Sequence, residues 1–258
     1  MQTIISETGV ETTARNVTAS KTLNVTLLSS EWSSSAGGLS TINRELAIHL
    51  AEHTGVNVSL FCPEGACCNK EKREASGFGI AIVEAKAHTA YDRLDCLISL
   101  PQHHVMDIVV GHSVTLGRQV QFIKADSRFR SCKWVQVVHT APEELSRYKS
   151  YDDPISKGET KHKSEIELCK LADLVVPVGP GLEEKYASYL KGCKTHHKVF
   201  SVTPGIFDRE FGDLTQLPNE HAEFKVLLFG RGDDEDFELK GYDTAAKAFT
   251  DQRLKNKA

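Results

Sequence analysis

The sequence lacks the segments that anchor or export a protein. Across its 258 residues, no apolar run approaches the ~20 residues that a membrane helix needs. Residues 1–21, MQTIISETGVETTARNVTASK, have neither the basic start nor the apolar core of a signal peptide. We therefore expect a loose polar tail over residues 1–21, no membrane span and a cytoplasmic location.

An excess of positive charge is also missing. The chain has 31 Lys and Arg against 35 Asp and Glu, which gives a net charge of -4. Nucleic-acid-binding domains carry a basic patch or stripe, so we expect no nucleic-acid partner. The composition, 40% hydrophobic and 26% charged, is that of an ordinary globular protein, and the length suggests one large domain or two small ones.

Cysteine is present without the spacing of a disulfide framework or a metal site. No CxxC or HxxxH pair follows the cluster at Cys62, Cys67 and Cys68, although structural zinc needs four ligands at recognisable spacing. The adjacent pairs His103-His104 and His196-His197 are interpreted as loop residues. We predict reduced thiols and no bound metal. The seven cysteines are Cys62, Cys67, Cys68, Cys96, Cys132, Cys169 and Cys193.

Two motifs of common α/β enzymes are absent. The loop SEWSSSAGG after the first apolar run is not GxGxxG, which disfavours a nucleotide-binding oxidoreductase. Ser35 lies in that loop without a GxSxG elbow, which argues against a serine hydrolase.

What the chain does contain is an alternation of strand and helix patterns. The pattern predicts an α/β protein with a Rossmann-like, mostly parallel sheet flanked by helices. Pro177 suggests an edge position or a short strand, and residues 62–76 are interpreted as a polar connection. Strands are predicted at residues 23–29, 56–61, 80–83, 106–110, 133–138, 174–178 and 198–202. Helices are predicted at residues 39–52, 91–100, 116–124, 159–171 and 181–190.

The chain is organised around residues 224–249, FKVLLFGRGDDEDFELKGYDTAAKAF. A strand is predicted at 226–229, followed by an acidic loop with Arg231 and Lys240 near its ends and then by an Ala-rich helix. Such a loop lies at the carboxyl end of a parallel strand, where α/β folds bind ligands, and a helix N-terminus favours an anion. Taken alone, the two cations favour ordinary solvated charges over a binding site, because a motif needs structural context.

The order of these features resembles the family-four glycosyltransferases of the GT-B fold. There a strand ends in Gly-Arg and a Lys-Gly opens the next helix. The resemblance implies that Arg231 and Lys240 contact the diphosphate of a nucleotide-sugar donor. It implies that Gly37 and Gly38 lie against the same phosphates, and that His139 hydrogen-bonds the donor sugar. The alternatives are a tight turn at the glycines and a histidine that merely ends a strand.

Two further segments carry the resemblance. The run KSEIELCKLADLVVPVGPGLEEKY is similar to the family's helix–Ala-Asp–strand–turn–helix segment, and Thr203-Pro204-Gly205-Ile206 resembles its hinge. We expect a GT-B N-terminal half over residues 22–220 and an incomplete start of the donor-binding domain over 221–258. The stretch after His139, APEELSRYKSYDDPISKGE, is expected to face the active site, with Glu143-Glu144 as solvated surface that could touch an acceptor.

The resemblance implies retaining transfer of a sugar from a nucleotide-sugar co-substrate to an acceptor, without a metal or other cofactor. Electrostatic stabilisation of the leaving diphosphate would drive the step. The alternative is a catalytically inactive interaction or sugar-sensing module, which the acidic run at 233–238 and the missing Glu-x7-Glu region favour. We expect the apolar face of residues 224–249 to be covered by folding back on the first domain, by a C-terminal lobe or by self-association.

Overall fold

A computed structural model of the chain describes residues 22–33, 35, 37–149, 151–193, 198–205, 226–230 and 239–251. Several predictions lie outside the described residues: the tail at 1–21, the pair His196-His197, Arg231, and the acidic run at 233–238.

Seven strands form one parallel sheet in the order β3-β2-β1-β4-β5-β6-β7. The chain starts in the middle, builds outward to β3, returns to β4 beside β1, and continues to β7. This doubly wound order confirms the predicted Rossmann-like fold class. The strands are β1 Leu23–Leu28, β2 Val56–Pro63, β3 Ile80–Ala85, β4 Ile108–His112, β5 Lys133–Val138, β6 Leu174–Pro177 and β7 Lys198–Val199.

Helices cover both faces of this sheet. Neighbouring strand residues such as Val109 and Val110 fall into two separate apolar clusters, because successive side chains of a strand point to opposite faces. One cluster includes α1 and α2, and the other includes α3, α4, α6 and α7. In the described part of the chain, the helices are α1 Gly38–Ala51, α2 Asn69–Gly77, α3 Ser113–Gly117, α4 Val120–Ala125, α5 Pro142–Leu145, α6 Pro154–Leu171, α7 Pro180–Tyr189 and α8 Tyr242–Thr250.

A 3₁₀ turn at Ser146–Tyr148 joins α5 to the loop before α6. Within the described ranges, no helix combines the length and the apolar character that crossing a membrane requires.

Two helix predictions are wrong. Residues 91–100 form turns instead of a helix, with isolated backbone hydrogen bonds in place of a continuous helical series, and their apolar side chains Leu97 and Leu100 are buried in the core. Residues 62–76, predicted to be a polar connection, contain most of α2. At the start of this helix, the backbone N–H of Cys68 donates to Glu71 Oε2 at 2.7 Å and forms part of the cap. This helix escaped prediction because only Ala75 in it is buried, so its sequence has almost no apolar period.

Of the two alternatives for Pro177, an edge position or a short strand, the second holds. Strand β6 lies between β5 and β7, but it is only four residues long and Pro177 is its last residue.

The strand predicted at residues 226–229 is wrong. Residues 226–229 form no strand; they pair with no other strand in the described part of the chain. Their four side chains are exposed, and folding back on the first domain does not cover them.

A close approach of backbone to side chain fixes the space between β4, β5 and α3. A Cβ placed on Gly117 would lie 2.5 Å from Gln136 Oε1 on β5. The Gln136 side chain is fully buried and cannot swing away, because its Nε2 donates to the Ser113 carbonyl at 3.0 Å and to Glu165 Oε1 at 3.1 Å. Only glycine at position 117 therefore leaves this amide in place.

Replacing Gly117 should test this packing. We expect Gly117→Ala to lower the free energy of unfolding by about 1–3 kcal/mol, the usual cost of forcing an atom into a filled interior. The matched control is Gly77→Ala at the end of α2, where an added Cβ meets nothing within 4 Å. Urea unfolding of both variants measures the difference, and equal midpoints would contradict the packing argument.

Candidate functional site

Two histidines meet at the carboxyl edge of the sheet. His112 ends β4 and His139 directly follows β5, its neighbour. Their Nδ1 and Nε2 atoms lie 3.0 Å apart, and the rings stack with centroids separated by 5.2 Å. His112 Nε2 in turn lies 2.8 Å from Asn43 Oδ1 on α1, and Asn43 Nδ2 donates to the Leu28 carbonyl of β1 at 3.0 Å. One hydrogen-bonded chain therefore ties together β1, α1, β4 and the residue after β5.

The pattern of donors assigns the tautomers of both rings. Because the Asn43 amide nitrogen donates to Leu28, its oxygen must accept, and His112 Nε2 carries the hydrogen. A neutral imidazole has one N–H, so His112 Nδ1 accepts from His139 Nε2–H. The remaining ring nitrogen of His139, Nδ1, is then an acceptor.

Both rings are neutral at pH 7. Burial lowers the pKa of His112 to about 3, with a smaller effect from His139 beside it. Burial also lowers the pKa of His139 to about 4. His112 is fully buried, whereas His139 is only partly buried. His139 therefore offers the strand edge a neutral ring that can accept a hydrogen bond from a hydroxyl group.

The predicted glycine pair lies at the start of α1. Gly37 has φ 108°, a conformation that favours glycine, and a Cβ on Gly38 would meet nothing within 4 Å. The backbone at this helix N-terminus is thus open on that side. Because Asn43 on the same helix bonds His112, α1 connects the glycine pair to His139. The structure brings these predicted site residues to one edge of the sheet, while their contact with phosphate stays a prediction.

The predicted diphosphate clamp is only partly visible. Lys240 precedes α8, and a Cβ on Gly230 would lie 3.9 Å from its Cδ atom, so the two ends of the predicted loop approach each other. Among the described residues, no hydrogen bond or ion pair joins Lys240 to the sheet edge that carries His139. With Arg231 outside the described residues, the role of this pair stays a prediction.

The residues after His139 enclose a cavity of about 310 Å³, which sequence reasoning did not identify. It lies between α3, α5, the 3₁₀ turn and α6. Hydroxyl groups, lysines and one carboxyl group face it, which makes it suited to a polar guest. The lining residues used below are Ser113, Thr140, Lys149, Tyr151, Lys161 and Glu165.

The cavity has a buried carboxyl group in its wall. Glu165 on α6 is 3% exposed, and its oxygens accept from Val114 N and Gln136 Nε2, each at 3.1 Å. Burial raises the pKa of Glu165 to about 7, against the opposing effect of these hydrogen bonds. Sequence reasoning missed it because a glutamate in the middle of a helix ordinarily indicates a solvated face.

Ser113 carries backbone strain at the same place. Among the described residues, it is the one non-glycine residue with positive φ, 46°, and it lies in the sharp turn from β4 to α3. Its carbonyl accepts from Gln136 Nε2 at 3.0 Å. Such conformations cost on the order of 1–3 kcal/mol and cluster at functional sites. The strained residue Ser113 directly follows His112 and lines the cavity.

The expectation of solvated surface holds for Glu144, whose side chain is 52% exposed, but not for Glu143, whose side chain is 23% exposed. Glu143 accepts from Tyr189 Oη on α7, and its second oxygen lies 2.8 Å from His162 Nδ1 on α6. Glu144 pairs with Lys185. Glu143 therefore connects α5 to α6 and α7, and Glu144 connects it to α7. These contacts hold α5 at the cavity that it lines.

A doubly wound parallel sheet with its polar site at the carboxyl edge is the architecture of one half of a GT-B glycosyltransferase, and one solved structure supports this fold. Sucrose-phosphate synthase from Thermosynechococcus elongatus matches with a TM-score of 0.51 and 16% identity, covering 71% of this chain and 48% of that one. A UDP-glucosyltransferase from Polygonum tinctorium matches with a TM-score of 0.46 and 13% identity, covering 72% and 53%. The chain thus spans about half the length of these structures.

The family follows from the sequence itself. Residues 26–258 match the model of the GT4-conflict family, described as family 4 glycosyltransferases in conflict systems, and the chain belongs to this family. The suspected membership of family four is thereby confirmed. A comparison with curated proteins finds no match.

The neutral histidines predict a specific acid sensitivity. The pKa of His112 is near 3 when folded and near 6.5 when unfolded, so the unfolded chain binds more protons between these values and acid favours unfolding. We expect His112 to cost about 3 kcal/mol of stability between pH 7 and pH 4. His112→Gln should remove that part of the slope, whereas His53→Gln, an exposed control, should not. Denaturant unfolding across this pH range measures it, and unchanged slopes would contradict the assignment.

Proposed function

We propose that this chain forms the acceptor side of a retaining glycosyltransferase that takes its sugar from a nucleotide-sugar donor. One observation carries the proposal: the neutral, partly buried His139 is held at the carboxyl edge of the sheet by His112 and Asn43. Membership of the GT4-conflict family supports the reaction class.

The arrangement gives each residue a distinct task. His139 Nδ1 accepts a hydrogen bond from a hydroxyl of the donor sugar and orients it, and the neutral ring avoids adding charge beside the sugar. The anomeric carbon exchanges its bond to a diphosphate oxygen for a bond to an acceptor hydroxyl oxygen, and the hydroxyl proton passes to the departing diphosphate. Arg231, Lys240 and the open N-terminus of α1 at Gly37-Gly38 stabilise the negative charge on the leaving diphosphate.

The same proposal covers the organisation of the chain. We assign residues 22–220 to the acceptor-side domain and 221–258 to the first part of the donor-binding domain. The family match includes both segments, since it runs from residue 26 to residue 258. Independence from metal, a cytoplasmic location and the covering of residues 226–229 by a second lobe or a second copy belong to the proposal as well.

A transfer assay on the protein isolated from its native source tests the reaction. With a panel of nucleotide sugars, we expect release of nucleoside diphosphate that persists in EDTA. His139→Ala should lower kcat/KM by about 10²-fold, the usual loss for one preorganised hydrogen bond at a reacting sugar or carbonyl. His53→Ala, at the opposite edge of the sheet, is the matched control and should leave the rate unchanged.

Three results would contradict the proposal: no nucleotide sugar binds, EDTA abolishes release, or His139→Ala behaves like His53→Ala. The first of these would favour the catalytically inactive interaction or sugar-sensing module instead. Lys240→Ala supplies a second arm, since loss of a phosphate contact should raise KM for the donor, and an unchanged KM would remove Lys240 from the site.

A further inference from the structure

One face of α6 is lined by side chains of opposite charge. Lys157, Lys161 and Glu165 follow each other at intervals of four residues, so they share one face of the helix, with Cα atoms about 6 Å apart from one to the next. Lys161 and Glu165 both line the cavity beside His139. Lys157 lies outside the lining, over the ring of Tyr151, which is part of it. The cavity is therefore cationic towards the start of α6 and carries a carboxyl group about one turn further along.

The cationic end is unusually concentrated. The ammonium groups of Lys157 and Lys161 lie 3.7 and 4.8 Å from the centroid of the Tyr151 ring, and that of Lys149 lies 5.9 Å from it. Lys161 also donates to Tyr151 Oη at 2.8 Å. In the part of the chain that the structure describes, no carboxylate forms an ion pair with Lys157 or Lys161. Like charges gathered around one ring repel each other, and a bound anion would relieve that repulsion.

The opposite end suits a hydroxyl group. The Glu165 carboxyl group cannot turn away, because Val114 N and Gln136 Nε2 hold one oxygen each. Each carboxyl oxygen has a second lone pair. The Ser113 hydroxyl group, which also hydrogen-bonds Glu165, takes one of these positions, and the other can accept a hydroxyl hydrogen from a ligand. Thr140, which follows His139, lines the same cavity. Arg118, another cation of the cavity lining, is already paired with Asp95 at 2.7 Å.

We propose that this cavity binds a small hydroxylated molecule through an anionic group, phosphate or carboxylate, with the anion on Lys157 and Lys161 and a hydroxyl group at Glu165. That this molecule is the glycosyl acceptor rests on the proposed function. The volume of about 310 Å³ lies at the lower end of the range for small-molecule sites, roughly 300–1,000 Å³, which fits a monosaccharide-sized ligand. Bound this way, the molecule directs a hydroxyl group towards the strand edge that carries His139.

Calorimetric titration of the full chain with four probes tests the site: a hexose, the same hexose as its 6-phosphate, the corresponding hexuronate, and inorganic phosphate. We expect the hexose phosphate or the hexuronate to bind at least tenfold more tightly than both the uncharged hexose and inorganic phosphate. Whichever charged sugar binds more tightly, the phosphate or the uronate, identifies the anionic group that the site prefers. The gain in affinity of that sugar over inorganic phosphate measures the contribution of the hydroxyl contact at Glu165.

Variants assign the binding to the two ends of the cavity. The double variant Lys157→Gln/Lys161→Gln should weaken the charged sugar at least tenfold. Its matched control, Lys163→Gln/Lys170→Gln, removes the same charge from the same helix and should change affinity less than twofold. Glu165→Gln should weaken the charged sugar but leave inorganic phosphate within twofold, because phosphate alone does not reach that end.

The proposal is overturned if no probe binds, or if the control variant weakens binding as much as the double variant. It is also overturned if the uncharged hexose or inorganic phosphate binds as tightly as the hexose phosphate. These titrations contain no donor, so they separate the two proposals. A chain that binds the charged sugar with this dependence but transfers no sugar would contradict the proposed function and leave the anion site standing.

Discussion

The hydrogen bond between Asn43 and His112 is the contact on which the candidate site depends. Both side chains are fully buried, and a buried polar group without a partner costs about 1–3 kcal/mol, so each holds the other in one orientation. The orientation of Asn43 also decides the tautomer of His112, and therefore which His112 nitrogen accepts from His139. Through this one bond, a helix on one face of the sheet sets the chemistry of a ring at the sheet's carboxyl edge.

A second buried network lies beside the first and shapes the cavity. Gln136 points from β5 between α3 and α6, where it reaches both the Ser113 carbonyl and Glu165. The close approach of Gly117 leaves it no alternative position. The strained turn at Ser113 joins the two networks, because His112 precedes it and Val114, which holds Glu165, follows it. The site is thus built on rigid strands and helix starts.

Much of the fold could be predicted from the sequence, since buried parallel strands leave a strong local signal. The predicted strand at 133–138 coincides with β5, and the alternation of strands and helices was enough for the fold class. The helix predicted at 91–100 failed because apolar residues can fill a core from turns. The strand predicted at 226–229 failed because an apolar run needs a neighbouring strand to pair with.

The site was predicted less completely, for a physical reason. His139 was found through a family resemblance, whereas Asn43, His112 and Glu165 were not selected as site residues. Each of these is a polar residue buried by a partner far away in the sequence: 69 residues separate Asn43 from His112 and 29 separate Gln136 from Glu165. No local period or spacing reports such pairs. They become visible only when the sheet brings neighbouring strand ends together.

The protonation state of the two histidine rings is the measurement that tests this account most directly. Long-range ¹H–¹⁵N correlation spectra distinguish a protonated ring nitrogen from a bare one in the intact chain, without any ligand. At pH 7 we expect His112 and His139 both to be neutral, each with its hydrogen on Nε2 and with a bare Nδ1. A hydrogen on Nδ1 of His139, or a charged ring at this pH, would contradict it.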